Sequence, residues 1–175
     1  MIDPFDTLGI QRRFNIDLRE VEQRHRDLSR ALHPDRYAQS GSAERRMAAE
    51  RFATVNEALR VVKDPQARAA ALLSAAGKPL HEESRAPTHV LMEILEARER
   101  LEAARAASEA APQITSVRTE AIERVRETEQ TIAVAFDGEA TATNEQLAAA
   151  HEALVRLRYL TRLVEEADAL LEEIV

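Results

Sequence analysis

The 175-residue sequence contains no cysteine, only four glycines, few aromatic residues and no long apolar run. The absence of cysteine excludes disulfides, thiolate metal sites and a cysteine nucleophile, and it suits a reducing compartment. Four glycines leave few positions for the tight turns of an all-β protein. No stretch of about 20 apolar residues is available to span a bilayer, and the acidic N-terminus is unlike the basic start of a signal peptide. We therefore predict a soluble, cytosolic protein.

The residues that are abundant favour helices. Apolar residues make up 45% of the chain, mostly as Leu, Val, Ile and Ala, and Glu and Arg dominate the charged set. These side chains lose little rotamer freedom in a helix. The composition predicts an all-α fold.

Charge is distributed unevenly along the chain. The formal net charge is −7, with a net of +2 in residues 1–76 and −9 in residues 77–175. Neither part has the basic surplus that is typical of nucleic-acid binding. The asymmetry indicates two surfaces with different partners, neither of them a nucleic acid or a membrane.

A break in helical periodicity divides the chain. Gly77-Lys78-Pro79-Leu80, Glu82-Glu83-Ser84 and Ala86-Pro87 form a stretch typical of a linker. We predict a first domain over residues 1–76, a linker over 77–87 and a second domain over 88–175. Helical segments are expected near 4–8, 18–33, 42–62 and from 65 onwards, and then over 88–107, 114–136 and 143–174. The last three are expected to pack as an antiparallel three-helix bundle.

The tripeptide His33-Pro34-Asp35 lies between two predicted helices. A basic helix containing Arg26 and Arg30 precedes it. The helix that follows contains Phe52, Asn56, Glu57 and Ala58, and Asp64-Pro65 and Arg68 come after that helix. In this setting the region resembles the J domain of the DnaJ superfamily, an antiparallel helical hairpin with short flanking helices. The resemblance implies that the loop triggers ATP hydrolysis in a DnaK-type chaperone. The chain itself is then a co-chaperone rather than an enzyme and needs no cofactor.

The residue types suit docking to such a partner. Pro34 stiffens the turn, so that little entropy is lost on binding, and the Asp35 carboxylate can pair with an arginine of the chaperone. By the resemblance, Arg24, Arg26 and Arg30 meet an acidic surface and steer the encounter. The alternative is a solvated helix face whose arginines pair with Glu20, Glu22 and Asp27.

The second domain resembles that of HscB, the J-type co-chaperone of iron–sulfur cluster assembly. The resemblance is carried by Leu91-Met92-Glu93, Leu95-Glu96, Arg98-Glu99 and Leu157-Arg158-Tyr159-Leu160. It implies a DnaK/HscA-type chaperone and a scaffold protein of the IscU type as partners. The implied scaffold-binding residues are Leu91, Met92, Leu95, Glu96, Glu99 and Tyr159. Tyr159 and Ala103 depart from the family pattern, which commonly has phenylalanine and an acidic residue there.

Several alternatives stay open from the sequence alone. Leu91 and Leu95 could instead belong to the bundle core. The chain could serve a general DnaK-type chaperone with a different client, or act as a helical adaptor with no chaperone link. A metalloenzyme built on His25, His33 and Asp35 is a further alternative, although Glu22 and His25 form the only Glu-x-x-His pair that a di-metal bundle would use.

Overall fold

The computed structural model of the chain describes residues 2–37, 39–81 and 86–174, with Pro34 described by its backbone alone. The chain divides into two compact units, Met1–Pro79 and Leu80–Val175. The helices are α1 (Pro4–Leu8), α2 (Leu18–Leu32), a 3₁₀ turn (Pro34–Tyr37), α3 (Ser42–Lys63), α4 (Pro65–Ala75), α5 (Thr88–Arg105), α6 (Ala110–Phe136) and α7 (Asn144–Ile174). The described residues contain no strand, which confirms the all-α prediction.

Side-chain caps fix the starts of the helices in the first unit. The Asp3 carboxylate accepts hydrogen bonds from the backbone of the first turn of α1. That helix stops at Gly9, whose φ of 65° lies in the left-handed region that favours glycine. The Asp17 carboxylate caps α2 in the same way, and Asp64 caps α4 by accepting from the Ala67 N–H.

Helices α2 and α3 form an antiparallel hairpin. Side-chain contacts join Glu22 to Lys63, His25 to Asn56 and His33 to Phe52, so residue numbers fall along α3 as they rise along α2. Residues of all four helices and of the α1–α2 connection fill the core of this unit, among them Phe5, Leu8, Phe14, Val21, Val55, Val62, Leu72 and Leu73.

A buried arginine secures the segment between α1 and α2. The Arg68 guanidinium of α4 lies 4.8 Å from the ring centre of Phe14, a cation–π distance. Its Nη1 donates to the Val62 carbonyl oxygen at 2.7 Å. The guanidinium therefore joins the α1–α2 connection to the end of α3.

In the second unit, α5, α6 and α7 run up, down and up. Pairs between α5 and α6 run in opposite directions, from Arg100–Glu120 to Glu93–Arg124, whereas Arg98–Glu166 and Arg105–Glu173 show that α5 and α7 are parallel. The core contains Ile94, Leu101, Ile114, Ile132, Leu154, Leu157, Leu160 and Leu163. The predicted three-helix bundle is therefore confirmed, and with it the predicted fold class.

Some helix bounds differ from the predicted ones. Helix α6 begins at Ala110 rather than Ile114, because Pro112 falls in the first turn, where an N–H group has no partner within the helix. Helix α5 ends at Arg105, two residues early. Glu82, Glu83 and Ser84 of the predicted linker lie outside the described residues. None of the helices in the described part of the chain is long and apolar enough to cross a membrane.

Candidate partner-binding sites

The turn His33-Pro34-Asp35 is held by short-range contacts. Helix α2 ends at Leu32, and the Arg36 N–H then donates to the His33 carbonyl oxygen at 3.0 Å. The His33 Nδ1 atom accepts from the Asp35 N–H at 3.3 Å. In the neutral form this leaves the proton on Nε2, so the outer edge of the imidazole is a donor.

An aromatic contact supports the imidazole from below. The rings of His33 and Phe52 meet edge to face, with centres 6.3 Å apart and planes at 79°. A shallow depression of about 510 Å³ surrounds this contact, lined by His25, Arg26, Ser29, Arg30, His33, Arg36 and Phe52. The histidine is thus fixed in place beside a cationic rim.

The carboxylate of the turn points into solvent. The Asp35 side chain is 90% exposed, and that of His33 is 52% exposed. The Asp35 Oδ2 atom lies 3.5 Å from His33 Nδ1, a contact that is an ion pair only when the imidazole is protonated, and among the described residues no arginine or lysine pairs with this carboxylate. A donor from another molecule could reach this carboxylate without displacing an existing salt bridge.

The three arginines that the sequence singles out have different surroundings. Arg24 is engaged within its own unit, because its Nη1 donates to the Gly9 carbonyl oxygen at 2.7 Å and its Nη2 donates to Glu20 at 2.8 Å. Arg26 donates to Gln23 at 2.7 Å. The Arg30 side chain is 76% exposed, and its Nη1 lies 3.8 Å from Asp27 Oδ1. Of these three arginines, Arg26 and Arg30 line the depression around His33 and Arg24 does not.

No partner-binding role was predicted for His25, Ser29, Arg36 or Asn56, and His25 entered only the metalloenzyme alternative. His25 Nε2 lies 2.8 Å from Asn56 Oδ1 and 3.3 Å from Ser29 Oγ. Because Oδ1 only accepts, this geometry assigns the proton to His25 Nε2. In the sequence, His25 lies between the apolar positions Leu18, Val21, Leu28 and Leu32, which recur at spacings of three and four and form one apolar stripe of α2. This position was the one signal in the sequence for the contact to α3.

A second candidate site lies on the outer face of α5. Leu91, Met92 and Leu95 are 44%, 51% and 50% exposed, and Glu96 and Glu99 are exposed beside them. The core is filled instead by Val90, Ile94, Ala97, Leu101 and Ala104. Leu91 and Leu95 are therefore not core residues. We call Leu91, Met92 and Leu95 the α5 patch.

Tyr159 of α7 lies close to the start of α5. It is half-buried and packs against a cluster formed by Ala86, Val90 and Val155. Val90 immediately precedes the α5 patch in sequence. The structure thus brings Tyr159 to the same end of the bundle as Leu91.

The residues of the metalloenzyme alternative do not assemble. Within residues 2–37, 39–81 and 86–174, no group of three or more His, Asp or Glu side chains has the geometry to hold a metal ion. His25 contacts an amide and a hydroxyl rather than a carboxylate.

Comparisons with known proteins match both units. Residues 3–71 match the DnaJ domain, and residues 86–168 match the HSCB C-terminal oligomerisation domain. The co-chaperone protein HscB homolog of Aromatoleum aromaticum is 34% identical over 97% of this chain and 94% of its own.

Two solved structures share the fold. Chaperone HscB from Vibrio cholerae has a TM-score of 0.83 at 24% identity, covering 99% of this chain and 100% of its own. Human co-chaperone protein HscB has a TM-score of 0.81 at 24% identity, covering 97% and 82%. Since the identity to the Aromatoleum relative extends over nearly the whole length of both chains, and both domains match, the chain belongs to the HscB family of J-domain co-chaperones.

Proposed function

We propose that this protein stimulates the ATPase of a DnaK/HscA-type chaperone through His33-Pro34-Asp35 and delivers an IscU-type scaffold protein to it. Its role is then to support iron–sulfur cluster assembly or transfer in the cytosol. The observation that carries the proposal is the exposed Asp35 carboxylate beside an imidazole fixed by Phe52. The chain supplies binding energy, and the bond-breaking step takes place in the chaperone.

At the chaperone, the turn acts as a preformed ligand. The Asp35 carboxylate suits a bidentate hydrogen bond with an arginine of the partner, and the outer nitrogen of His33 offers a donor. Because the turn is already ordered, docking costs little conformational entropy. Stimulation requires that the turn bind the hydrolysing conformation of the chaperone more tightly than its resting one.

At the scaffold, the α5 patch supplies apolar area. Three neighbouring side chains that are each about half exposed form an anchor, and Glu96 and Glu99 add a charged edge, as is usual for interfaces with an apolar centre and a polar rim. Tyr159 would add an aromatic contact at one end. Burying these side chains against the scaffold favours binding through the hydrophobic effect.

The chaperone half is tested by His33→Gln in an ATPase assay with purified chaperone. Stimulation should be lost while helical content, measured by circular dichroism, is unchanged. His81→Gln is the matched control, because it makes the same change at an exposed histidine of the other compact unit. Persisting stimulation by His33→Gln would remove this half of the proposal.

The scaffold half is tested by replacing Leu91, Met92 and Leu95 together with alanine. Binding of a purified IscU-type scaffold, measured by calorimetry, should weaken by about tenfold or more, because three apolar anchors are removed. Stimulation of the chaperone without scaffold should be unchanged. Val134→Ala is the control, since Val134 of α6 is an exposed apolar residue outside the patch. Unchanged scaffold affinity would instead favour a general DnaK-type chaperone with a different client.

A further inference from the structure

The outer and inner faces of α5 are both apolar in its first half. Leu91 and Leu95 each follow a buried residue, Val90 and Ile94, and successive residues of a helix are about 100° apart. Two apolar stripes therefore run side by side, one facing the core and one facing solvent. Burial of apolar area alone only weakly determines which of the two stripes faces the core, because leucine is as apolar as valine or isoleucine.

Ion pairs border the buried stripe on both sides. At one edge, one oxygen of Glu93 accepts from Arg124 Nη1 of α6 and from Arg156 Nη2 of α7, each at 2.7 Å. At the other edge, Arg98 donates to both carboxylate oxygens of Glu166 of α7, at 2.5 and 3.0 Å. Any turn of α5 about its axis would pull at least one of these pairs apart.

Glu93 is the most enclosed member of this arrangement. Its side chain is 17% exposed, against 39% and 32% for Arg124 and Arg156. Glu93 joins α5 to both other helices of the bundle, since Arg124 belongs to α6 and Arg156 to α7. Its place between Met92 and Leu95 in the sequence puts this junction within the patch-bearing turn of α5.

We propose that Glu93 and Arg98 are positioning residues that fix the rotation of α5 and so keep the α5 patch facing outward. Neither residue needs to touch the scaffold protein. Ion pairs whose members are partly exposed contribute little to overall stability, but these pairs distinguish two orientations of α5 that bury similar apolar area. The orientation of α5 does not depend on the proposed function. Only its consequence does, namely that the α5 patch is available to bind the scaffold protein.

The chain lacks cysteine, so a single introduced thiol reports its own environment. Two reporters are needed: Leu95→Cys on the exposed stripe, and Ala97→Cys on the buried side, where the native residue is 8% exposed. The reaction rate of each thiol with a soluble disulfide reagent is measured under native conditions. In the otherwise unchanged protein, the thiol at position 95 should react at least tenfold faster than that at position 97.

Adding Glu93→Gln and Arg98→Gln should lower the rate at position 95 several-fold and raise the rate at position 97. Unfolding or local opening would raise both rates, so opposite changes identify a rotation. The control is Asp168→Asn, which breaks the ion pair of Arg118 between α6 and α7 and leaves α5 untouched. That control should leave the ratio of the two rates unchanged.

A ratio that stays the same in the Glu93→Gln, Arg98→Gln protein overturns the inference, as does a parallel increase at both positions. If the double variant fails to fold, the same measurement on Glu93→Gln alone decides. No scaffold protein is present in this assay, so failure here leaves the proposed function standing. Scaffold binding by the alanine variant of the α5 patch is a separate measurement, and its result does not depend on the thiol rates.

Discussion

Helices α2 and α5 carry the two candidate sites, and they differ in how they combine burial with exposure. In α2, Val21 is the one fully buried residue, and arginines and acidic residues occupy much of the remaining surface. In α5, five residues are buried and three more large apolar side chains face solvent. The orientation of α2 follows from its single apolar stripe, whereas that of α5 does not.

The same type of secondary structure therefore serves two modes of recognition in this protein. Helix α2 offers long-range electrostatic attraction and a rigid turn at its end, which suit a fast encounter with a large partner. Helix α5 offers apolar area, which acts only at contact and favours a longer-lived complex. Four experiments test this contrast between α2 and α5.

Substitutions in the two apolar stripes of α5 should differ most in their effect on stability. Ile94→Ala removes a side chain that is 3% exposed and should lower the free energy of unfolding by about 2–5 kcal/mol. Leu95→Ala, one residue later and half exposed, should lower it by less than about 1 kcal/mol. Urea denaturation of both variants is the measurement. Equal losses would mean that Leu95 is a core residue and that the α5 patch does not exist as described.

Salt should affect the two sites unequally. Raising the ionic strength from about 0.01 M to about 0.15 M shortens the screening length from roughly 30 Å to roughly 8 Å. The association rate with the chaperone should fall on the order of tenfold, as for an electrostatically steered encounter, and scaffold affinity should change much less. Arg30→Gln should flatten the salt dependence for the chaperone. Stopped-flow measurements that show equal slopes for both partners would remove the contrast.

The helix starts differ as well. The Asp17 carboxylate accepts from the Arg19 and Glu20 N–H groups at 2.9 and 3.4 Å, whereas Pro87, at the N-cap position of α5, provides no side-chain cap. Asp17→Ala should therefore cost about 1 kcal/mol of unfolding free energy. Thr88→Ala at the start of α5 should cost only a few tenths. Thermal denaturation that finds the reverse order would contradict the capping geometry.

The smallest effect concerns pH. The hydrogen bond from Lys63 lowers the pKa of Glu22 below its ordinary value of 4.5, and the positive charge of Lys63 acts in the same direction. Because the folded pKa is depressed, the stabilisation is present above pH 4.5 and is lost as the pH falls through the folded pKa. Lys63→Gln should remove most of this pH dependence of the free energy of unfolding, and the smaller effect of the Arg26 charge should remain. An NMR titration of the Glu22 carboxyl group that gives an ordinary pKa in the native protein would disprove the contact.

Much of the fold could be predicted, because it is encoded locally. The caps at Asp3 and Asp17, the stop at Gly9 and the periodic apolar positions lie within a few residues of what they determine. The start of α6 was four residues off, because Pro112 resembles a helix breaker unless its place in the first turn is known.

The candidate sites were harder, because their contacts join distant parts of the chain. The contact between His25 and Asn56 spans 31 positions, and that between Arg98 and Glu166 spans 68. No local pattern states which carboxylate an arginine meets across a bundle. The sequence grouped Arg24 with Arg26 and Arg30 and left pairing with Glu20 open as the alternative, but it gave no sign of the hydrogen bond from Arg24 to the Gly9 carbonyl oxygen, 15 positions away.

The continuity of α7 has a consequence for which insertions and deletions the family can tolerate. Arg156 and Glu166, which meet Glu93 and Arg98 of α5, lie on one unbroken helix. Deleting one residue between them would shorten that spacing by about 1.5 Å and turn the two ends relative to each other by about 100°. Only one of the two ion pairs could then form. Changes of length in this protein should therefore accumulate in the connection between α6 and α7, and not within α7.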